Sequence, residues 1–304
     1  MALVLERKVL GLTFKNPLLP ASGTFSMGRE IDDAFFPIKE FGGLITKGVT
    51  KEKRQGNVAP RSVETAGGML NSVGLQNPGV DKFIEIDLPF MKSQGIPVIA
   101  NACGSAIEDY CYVVSQLDKT NIDAIELNIS CPNVKEGGMS FGVFPESTKK
   151  IVSAVRALTK KPLIVKLTPN VTNIAEIARA AEEAGADAIS LINTLSGMAI
   201  DINTRKPILG NRVGGLSGPA VKPVALKMVW DVYNAVKIPV IGCGGVADYR
   251  DVIEFMLCGA TLVQVGTTML ADPMCIPKIA ADLESWCKQN NIKNLDEIVG
   301  GLKV

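Results

Sequence analysis

The sequence predicts a (β/α)8 TIM barrel, an α/β fold of eight parallel strands with helices outside, built as a single domain over residues 1–304. Three observations predict it. Eight short apolar segments recur between glycine and proline residues, helical patterns lie between several of them, and a chain of 304 residues with 47% hydrophobic residues can bury one large core. Strands that alternate with helices pair in parallel, and barrels of about 250 residues or more are ordinary.

The eight strand segments are apolar, often β-branched, and most end in a polar residue or a glycine. Several begin at a proline, which a strand tolerates at its first residue. They cover residues 17–22, 43–49, 97–103, 124–130, 162–168, 188–194, 239–244 and 262–267. Because the carboxyl ends of barrel strands meet at one face and carry the active site, polar residues at these ends are the first candidates for function.

Amphipathic patterns predict the helices. The clearest is an apolar stripe over residues 174–181, with charged residues opposite and Asn173 before it as an N-cap. Similar stripes cover 225–236, 249–257 and 276–287, and Asp248 and Gly259 are the start and stop signals of the second of these.

Three connections are too long for a turn and a helix, namely 50–96, 131–161 and 195–238. Long connections in a compact domain usually cover or complete a site, so we expect lid insertions after strands 2, 4 and 6. Two glycine-rich segments, 71–79 and 214–219, lie in the first and third of them.

Composition excludes several classes of function. With 32 basic and 31 acidic residues and no basic block, a nucleic-acid partner is not expected, and a small-molecule partner is. Neither a leader nor a stretch of about 18 apolar residues is present, so we expect no membrane span and a cytoplasmic location. The 7 cysteines are odd in number and lack CxxC spacing, which predicts reduced thiols and no metal site.

The chain contains no histidine, so proton transfer near neutral pH requires another side chain. The segment Asn-Ile-Ser-Cys-Pro-Asn at 128–133 places Cys131 between two amides just after the fourth strand. A thiol with a reference pKa of about 8.5 can act as a base where lysines lower it. Cys131 is therefore the leading candidate for a general base, and the alternative is the small buried hydrophobic residue that a free cysteine usually is.

Two glycine motifs follow the last two strands, Gly-Cys-Gly-Gly-Val at 242–246 and Val-Gly-Thr-Thr at 265–268. Without Cβ atoms, their backbone N–H groups can approach an anion closely. Either motif alone could be a tight turn, but on consecutive strands they favour a phosphate site. No GxGxxG follows the first strand, which disfavours a dinucleotide site.

Two lysines and four asparagines stand at strand ends. Lys166 lies in an otherwise apolar strand and needs a partner, which could be the N1 and C2 carbonyl edge of a flavin, a carbonyl substrate bound as a Schiff base, or an acid inside the barrel. Lys47, at the end of the second strand, also needs such a partner, unless its side chain extends to solvent. The amides could each form turns, but together they suit a flat, amide-rich ligand: Asn101, Asn128, Asn133 and Asn193.

Four motifs together resemble the dihydroorotate dehydrogenase family, over essentially the whole chain: residues 128–133, Asn-Ser-Val-Gly-Leu at 71–75, Ile-Val-Lys-Leu at 164–167 and Gly-Cys-Gly-Gly at 242–245. Cysteine at position 131 resembles the soluble class 1 enzymes, because the membrane-associated class has serine there. Segments 76–79 and 134–142 resemble the catalytic subunit of the class 1B type.

The resemblance implies one FMN per chain and oxidation of (S)-dihydroorotate to orotate in pyrimidine biosynthesis, with Cys131 removing the C5 proton and hydride passing from C6 to the flavin. It implies a homodimer that joins an electron-transfer subunit carrying FAD and a 2Fe-2S cluster in a heterotetramer, and so reduces NAD. The FMN contacts carried over are Ser22, Lys47, Gly48, Asn101, Asn128, Lys166, Ile192, Gly218, Gly244, Gly245, Gly266 and Thr267. The substrate contacts are Lys47, Asn71, Ser72, Val73, Gly74, Leu75, Asn128, Asn193 and Thr194.

Four alternatives stay open from sequence. They are a fumarate-dependent class 1A enzyme, the flavin domain of a dihydropyrimidine dehydrogenase, a Schiff-base aldolase-like barrel that uses Lys166, and a non-catalytic flavin carrier. Asn133 speaks against the second, whose pattern usually departs just after Cys-Pro.

Overall fold

The computed structural model describes residues 4–130 and 141–303. Its strands, in chain order, are β1 (Arg7–Val9), β2 (Leu12–Phe14), β3 (Leu18–Pro20), β4 (Leu44–Ile45), β5 (Ser62–Thr65), β6 (Gly68–Asn71), β7 (Val98–Ala102), β8 (Ala124–Asn128), β9 (Leu163–Lys166), β10 (Ala188–Leu191), β11 (Leu195–Gly197), β12 (Ile200–Asp201), β13 (Lys206–Pro207), β14 (Gly214–Ser217), β15 (Val240–Cys243) and β16 (Ala260–Val265). Its α-helices are α1 (Arg29–Ala34), α2 (Val80–Lys82), α3 (Leu88–Ser93), α4 (Ile107–Asp118), α5 (Pro145–Arg156), α6 (Ile174–Glu183), α7 (Lys222–Tyr233), α8 (Tyr249–Leu257), α9 (Thr267–Ala271) and α10 (Cys275–Gln289). A π-helical segment, Phe83–Asp87, joins α2 to α3.

Eight parallel strands form the barrel, in the order β3-β16-β15-β10-β9-β8-β7-β4. The two end strands meet where the Gly42 N–H donates to the Leu18 carbonyl at 2.9 Å. Each predicted strand segment contains one barrel strand or most of it, so the predicted (β/α)8 barrel is confirmed. The strands are buried on both faces, which is why their sequences are nearly continuous apolar runs.

The barrel interior changes character along its axis. Apolar side chains near the amino ends of the strands, such as Ile99, Ile164 and Ile241, form one cluster with Phe14 of the β1–β2 hairpin. Polar side chains occupy the opposite half, toward the carboxyl ends. The hairpin therefore packs against the apolar end and leaves the polar end for the site.

The helices lie outside the barrel and match the predicted stripes. Asn173 occupies the N-cap of α6, although its side-chain amide donates to the Glu176 carboxylate at 2.8 Å and makes no capping bond to the backbone. Asp248 caps α8 by accepting from the backbone N–H of Arg250 at 2.7 Å and that of Asp251 at 3.4 Å. Gly259 follows this helix with a φ of +109°, a left-handed conformation that favours glycine.

A four-stranded antiparallel sheet, β11-β14-β6-β5, covers the carboxyl ends of the barrel strands. Strands β5 and β6 come from the insertion after strand 2, and β11 and β14 come from the insertion after strand 6, so these two predicted insertions form one lid. The predicted insertion after strand 4 contains residues 131–140, which lie outside the described residues. Within 4–130 and 141–303, no helix has the length and apolar character needed to cross a bilayer.

Candidate functional site

A cavity of about 760 Å³ lies between the lid and the carboxyl ends of the barrel strands. Most residues expected at the site are in its wall: Ser22, Lys47, Gly48, Asn71, Ser72, Val73, Gly74, Leu75, Asn128, Lys166, Ile192, Asn193, Thr194, Gly244, Gly245, Gly266 and Thr267. Two are behind the wall, Asn101 and Gly218, and Cys131 lies outside the described residues. A second depression, of about 890 Å³, lies between α6 and α7 on the outer surface. It is more open to solvent than the cavity beneath the lid and lies away from the strand ends.

Lys47 brings a positive charge to the cavity wall. Its side chain is half-buried in the cavity wall, and its ammonium forms no hydrogen bond or ion pair with any residue that the structure describes. Burial lowers the pKa of Lys47, and the nearby Cys103 thiol partly opposes this. An anionic ligand would restore the lost solvation of this ammonium, so the position is suited to a carboxylate.

Lys166 is paired with an acid inside the barrel. Its ammonium lies 3.7 Å from a carboxylate oxygen of Glu126 and donates to the Gln264 side-chain oxygen at 3.0 Å. Burial on its own would lower the pKa of Lys166, but Glu126, together with Cys243 and Cys103, raises it above the usual value. A Schiff-base lysine must lose its proton to attack a carbonyl, so this pairing opposes the aldolase-like alternative.

A chain of amides and hydroxyls connects this pair to the cavity wall. The side-chain amide of Asn193 donates to the Ser130 hydroxyl at 2.5 Å, and that hydroxyl donates to the Asn128 side-chain oxygen at 2.6 Å. The Asn128 amide then donates to Asn101 at 3.4 Å. Asn101 is fully buried and supports the wall from behind, so we infer an indirect part in the site for it.

Backbone forms the wall at the ends of β15 and β16. A Cβ on Gly244 or Gly245 would lie 2.8 Å from the Ala225 Cβ or from the Gly218 carbonyl, respectively, and both glycines have positive φ angles of +133° and +77°. Gly218 thus packs behind Gly245, outside the wall. The Thr267 hydroxyl donates to that of Ser217 at 2.8 Å at the edge of this strip. A strip of glycine backbone and hydroxyls, with no carboxylate among the described lining residues, fits a phosphate.

The segment 71–75 reaches the cavity from the lid. The Asn71 amide donates to the Gly215 carbonyl of β14 at 3.4 Å, which joins the two insertions. Asn77 holds the other end, because its amide donates to the Leu75 carbonyl at 2.7 Å and its oxygen accepts from the Gly79 N–H at 2.9 Å. Leu75 itself has a φ of +55°. The motif at 76–79 therefore anchors the segment that faces the ligand.

Sequence reasoning missed three buried polar residues beneath the cavity: Glu126, Ser190 and Gln264. Two of them could have been recognised from the sequence, because each interrupts an apolar strand segment. Glu126 in Ala-Ile-Glu-Leu and Gln264 in Leu-Val-Gln-Val interrupt apolar strands in the same way as Lys166 does, and the same desolvation argument would have identified them. Within the described ranges, no group of three or more Cys, Asp or Glu side chains could hold a metal ion.

Comparisons with known proteins agree with this geometry. The family model described as dihydroorotate dehydrogenase matches residues 4–286. Among the similar curated proteins, one from Geotalea uraniireducens is 52% identical over 299 residues, covering 98% of both chains, and one from Bacteroides thetaiotaomicron is 54% identical over 296 residues, covering 96% of this chain and 97% of its own. Both are named dihydroorotate dehydrogenase B (NAD(+)), catalytic subunit. This chain belongs to the dihydroorotate dehydrogenase family.

Proposed function

We propose that this chain is the catalytic subunit of an NAD-linked dihydroorotate dehydrogenase, which oxidises (S)-dihydroorotate to orotate in pyrimidine biosynthesis. The observation that carries the proposal is Lys47, which has no partner within residues 4–130 and 141–303, in an amide-lined cavity beneath the lid of a chain of this family. Dihydroorotate is a carboxylate attached to a ring of amide groups, so it matches one fixed cation surrounded by donors and acceptors.

The cavity also fits FMN. The backbone strip at 244–245 and 266–267 is suited to its phosphate, and Gly48 contributes backbone without a side chain to the same wall. When bound, the flavin supplies the acceptor for the substrate hydride. Residues that would hold it are Ser22, Lys47, Gly48, Asn128, Lys166, Ile192, Gly244, Gly245, Gly266 and Thr267.

The substrate would lie between this surface and the lid. Lys47 pairs with its carboxylate, while Asn128 and Asn193 meet its ring amides from the strand ends and segment 71–75 covers it. Thr194 completes this group, and its backbone N–H is held by the Asn193 side-chain oxygen at 2.8 Å. A lid that excludes water strengthens every one of these charge-assisted contacts.

Cys131 is the proposed general base for the C5 proton, which the adjacent carbonyl acidifies. The preceding residue in the chain, Ser130, is in the cavity wall. The sequence contains no histidine, and a thiol has a reference pKa of about 8.5, so it can serve as a base in its place. A positioned base typically contributes about 10²- to 10⁴-fold to a rate.

We further propose a homodimer of this chain that joins a second subunit carrying FAD and a 2Fe-2S cluster. The relatives' names support the arrangement, because they describe a catalytic subunit and NAD. To test the function, the chain is purified alone and with a candidate second subunit, and each preparation receives dihydroorotate with NAD or with fumarate. NAD reduction only in the complex supports the proposal, and fumarate reduction by the chain alone would assign it to class 1A.

Two further measurements separate the remaining alternatives. Flavin reduction by dihydroorotate but not by dihydrouracil distinguishes this function from a dihydropyrimidine dehydrogenase. A chain that is yellow but stays oxidised with dihydroorotate would be a flavin carrier, and this outcome would contradict the proposal.

A further inference from the structure

Glu126 is a carboxylate buried beneath the cavity, and its oxygens accept from three neutral donors. It lies on β8 with a solvent exposure of 0%. One oxygen accepts from the Asn101 amide at 2.6 Å, and the other accepts from the Gln264 amide at 2.7 Å and the Ser190 hydroxyl at 2.9 Å. The first oxygen also faces the Lys166 ammonium at 3.7 Å. Both carboxylate oxygens therefore have hydrogen-bond partners, and a fully paired buried network of this kind holds its side chains in one arrangement.

Because an ionised carboxylate only accepts hydrogen bonds, it fixes which way the neighbouring amides point. Gln264 must turn its NH₂ group to Glu126, and its oxygen is then left to accept from Lys166 at 3.0 Å. Asn101 must do the same, so its oxygen accepts from the Asn128 amide at 3.4 Å. A series of hydrogen bonds runs from Asn193 in the cavity wall to Glu126. Glu126 therefore sets which group donates and which accepts at each step of this series.

Glu126 also balances the charge of Lys166. The titratable groups that face this ammonium in the described residues are Glu126 from β8, Cys243 from β15 and Cys103 just after β7. Burial raises the pKa of the Cys243 thiol, so it stays neutral near pH 7 and cannot balance the charge. Without Glu126, burial would favour the neutral amine.

We propose that Glu126 is a positioning residue of the flavin site, which keeps Lys166 as a charged donor aimed into the cavity and sets the direction of the amides beside it. This rests on the proposed function, since it names the flavin as the group that Lys166 meets. Its action is indirect. Glu126 lies behind the cavity wall and acts on the ligand through Lys166, Asn101 and Gln264 rather than by contact.

The test measures FMN binding to the flavin-free chain between pH 6.5 and 9, by quenching of flavin fluorescence. The quantity compared is the dissociation constant of a variant divided by that of the wild type, so titration of FMN itself cancels. For Glu126→Gln, we expect this ratio to rise with pH, toward about tenfold per pH unit once Lys166 loses its proton. For Glu126→Asp, which keeps the charge, we expect a ratio that does not change with pH.

Ser190→Ala is the matched control, because it removes one donor to Glu126 and leaves both charges in place. Its ratio should not change with pH. A Glu126→Gln ratio that is also constant would overturn the inference while leaving the proposed function intact. A wild-type chain that binds no FMN would overturn both.

A second variant decides the matter if Glu126→Gln does not fold. The double variant Glu126→Gln with Lys166→Met removes both charges, and replacing a buried ion pair by neutral groups is often tolerated. A folded double variant supports the inference if its FMN dissociation constant, divided by that of the wild type, does not change with pH. The lysine left unpaired in Glu126→Gln is then the cause of the misfolding of that single variant. A double variant that also fails to fold would overturn it, since Glu126 would be needed independently of Lys166.

Discussion

Lys47 and Lys166 reach the same cavity but differ in what balances their charge. Lys166 is paired with Glu126 inside the barrel, whereas Lys47 has no partner among the described residues. Among the described residues of the cavity wall, Lys47 is therefore the lysine whose charge is not paired. An anionic substrate gains most from this lysine, and Lys166 serves as a fixed donor.

Replacing Lys47 by Gln should weaken orotate binding about 10- to 100-fold, because a charge-assisted hydrogen bond contributes about 1.5–3 kcal/mol. Orotate binding is measured from the change it causes in the visible spectrum of the flavin. Lys227→Gln is the control, since its exposed side chain pairs with Asp231 on the outer surface. An unchanged orotate affinity in Lys47→Gln would place the carboxylate elsewhere.

The affinity for orotate should also depend on pH. Burial lowers the pKa of Lys47, so its ammonium is present at low pH and is lost as the pH rises through this lowered value. Orotate keeps its carboxylate charge throughout, so its affinity should fall with rising pH, earlier than with an ordinary exposed lysine. The same spectral titration between pH 6 and 10 tests this, and an affinity that stays constant to pH 10 would contradict it.

Replacing Cys131 by Ala should leave FMN bound and slow anaerobic flavin reduction by dihydroorotate by about 10²- to 10⁴-fold. Stopped-flow absorbance measures the rate. Cys111→Ala is the control, because this thiol lies on α4, outside the cavity wall. A wild-type rate in Cys131→Ala would refute the assignment of the base.

At the scale of elements, the lid consists of two insertions that are far apart in sequence. Strand β6 pairs with β14, so that Asn71 lies opposite Gly215, 144 residues later. The glycines in both segments indicated a lid, but sequence could not show that the segments pair with each other. Their pairing depends on the barrel, which brings the ends of strands 2 and 6 to one face.

Gly215→Ala should weaken dihydroorotate binding more than FMN binding. A Cβ at this position would overlap the Thr194 side chain at the lid edge of the cavity, so either Thr194 or β14 must move. The measurements are KM for dihydroorotate and the dissociation constant of FMN. Gly301→Ala is the control, since it lies near the carboxyl terminus, where a Cβ approaches no atom closer than 3.1 Å. Equal losses for substrate and flavin would contradict this role of the lid.

At the scale of the whole molecule, one chain supplies the cation, the amides and the glycine strip of the cavity. The sequence does not predict an NAD site in this chain, since no GxGxxG motif for a dinucleotide follows the first strand. The proposed second subunit should therefore determine where the electrons go, without altering how the substrate is oxidised.

Adding that subunit should leave the rate of flavin reduction by dihydroorotate unchanged and make NAD reduction appear. The first is measured by anaerobic stopped flow and the second by NADH absorbance. A flavin that dihydroorotate reduces only in the complex would show that the site is incomplete in one chain. Light scattering of the chain alone tests the proposed homodimer, for which the expected mass is twice that of the chain.

The sequence alone determined the barrel, its eight strands, the lid insertions after strands 2 and 6 and 17 residues of the cavity wall. It could do so because buried parallel strands require apolar runs, and a site at their carboxyl ends requires polar residues at the ends of those runs. Asn101 illustrates the limit, since a strand-end amide can face the cavity or the barrel interior, and sequence does not distinguish the two.

Only the tertiary structure decided what each buried charge meets. Glu126 and Gln264 come from strands 4 and 8, and the closing of the barrel places them against Lys166 of strand 5. Pairings of this kind depend on register and strand tilt across the barrel, because these set the heights at which inward-facing side chains meet. The tertiary structure therefore distinguished Lys166, which is paired, from Lys47, which has no partner in the part of the chain that the structure describes.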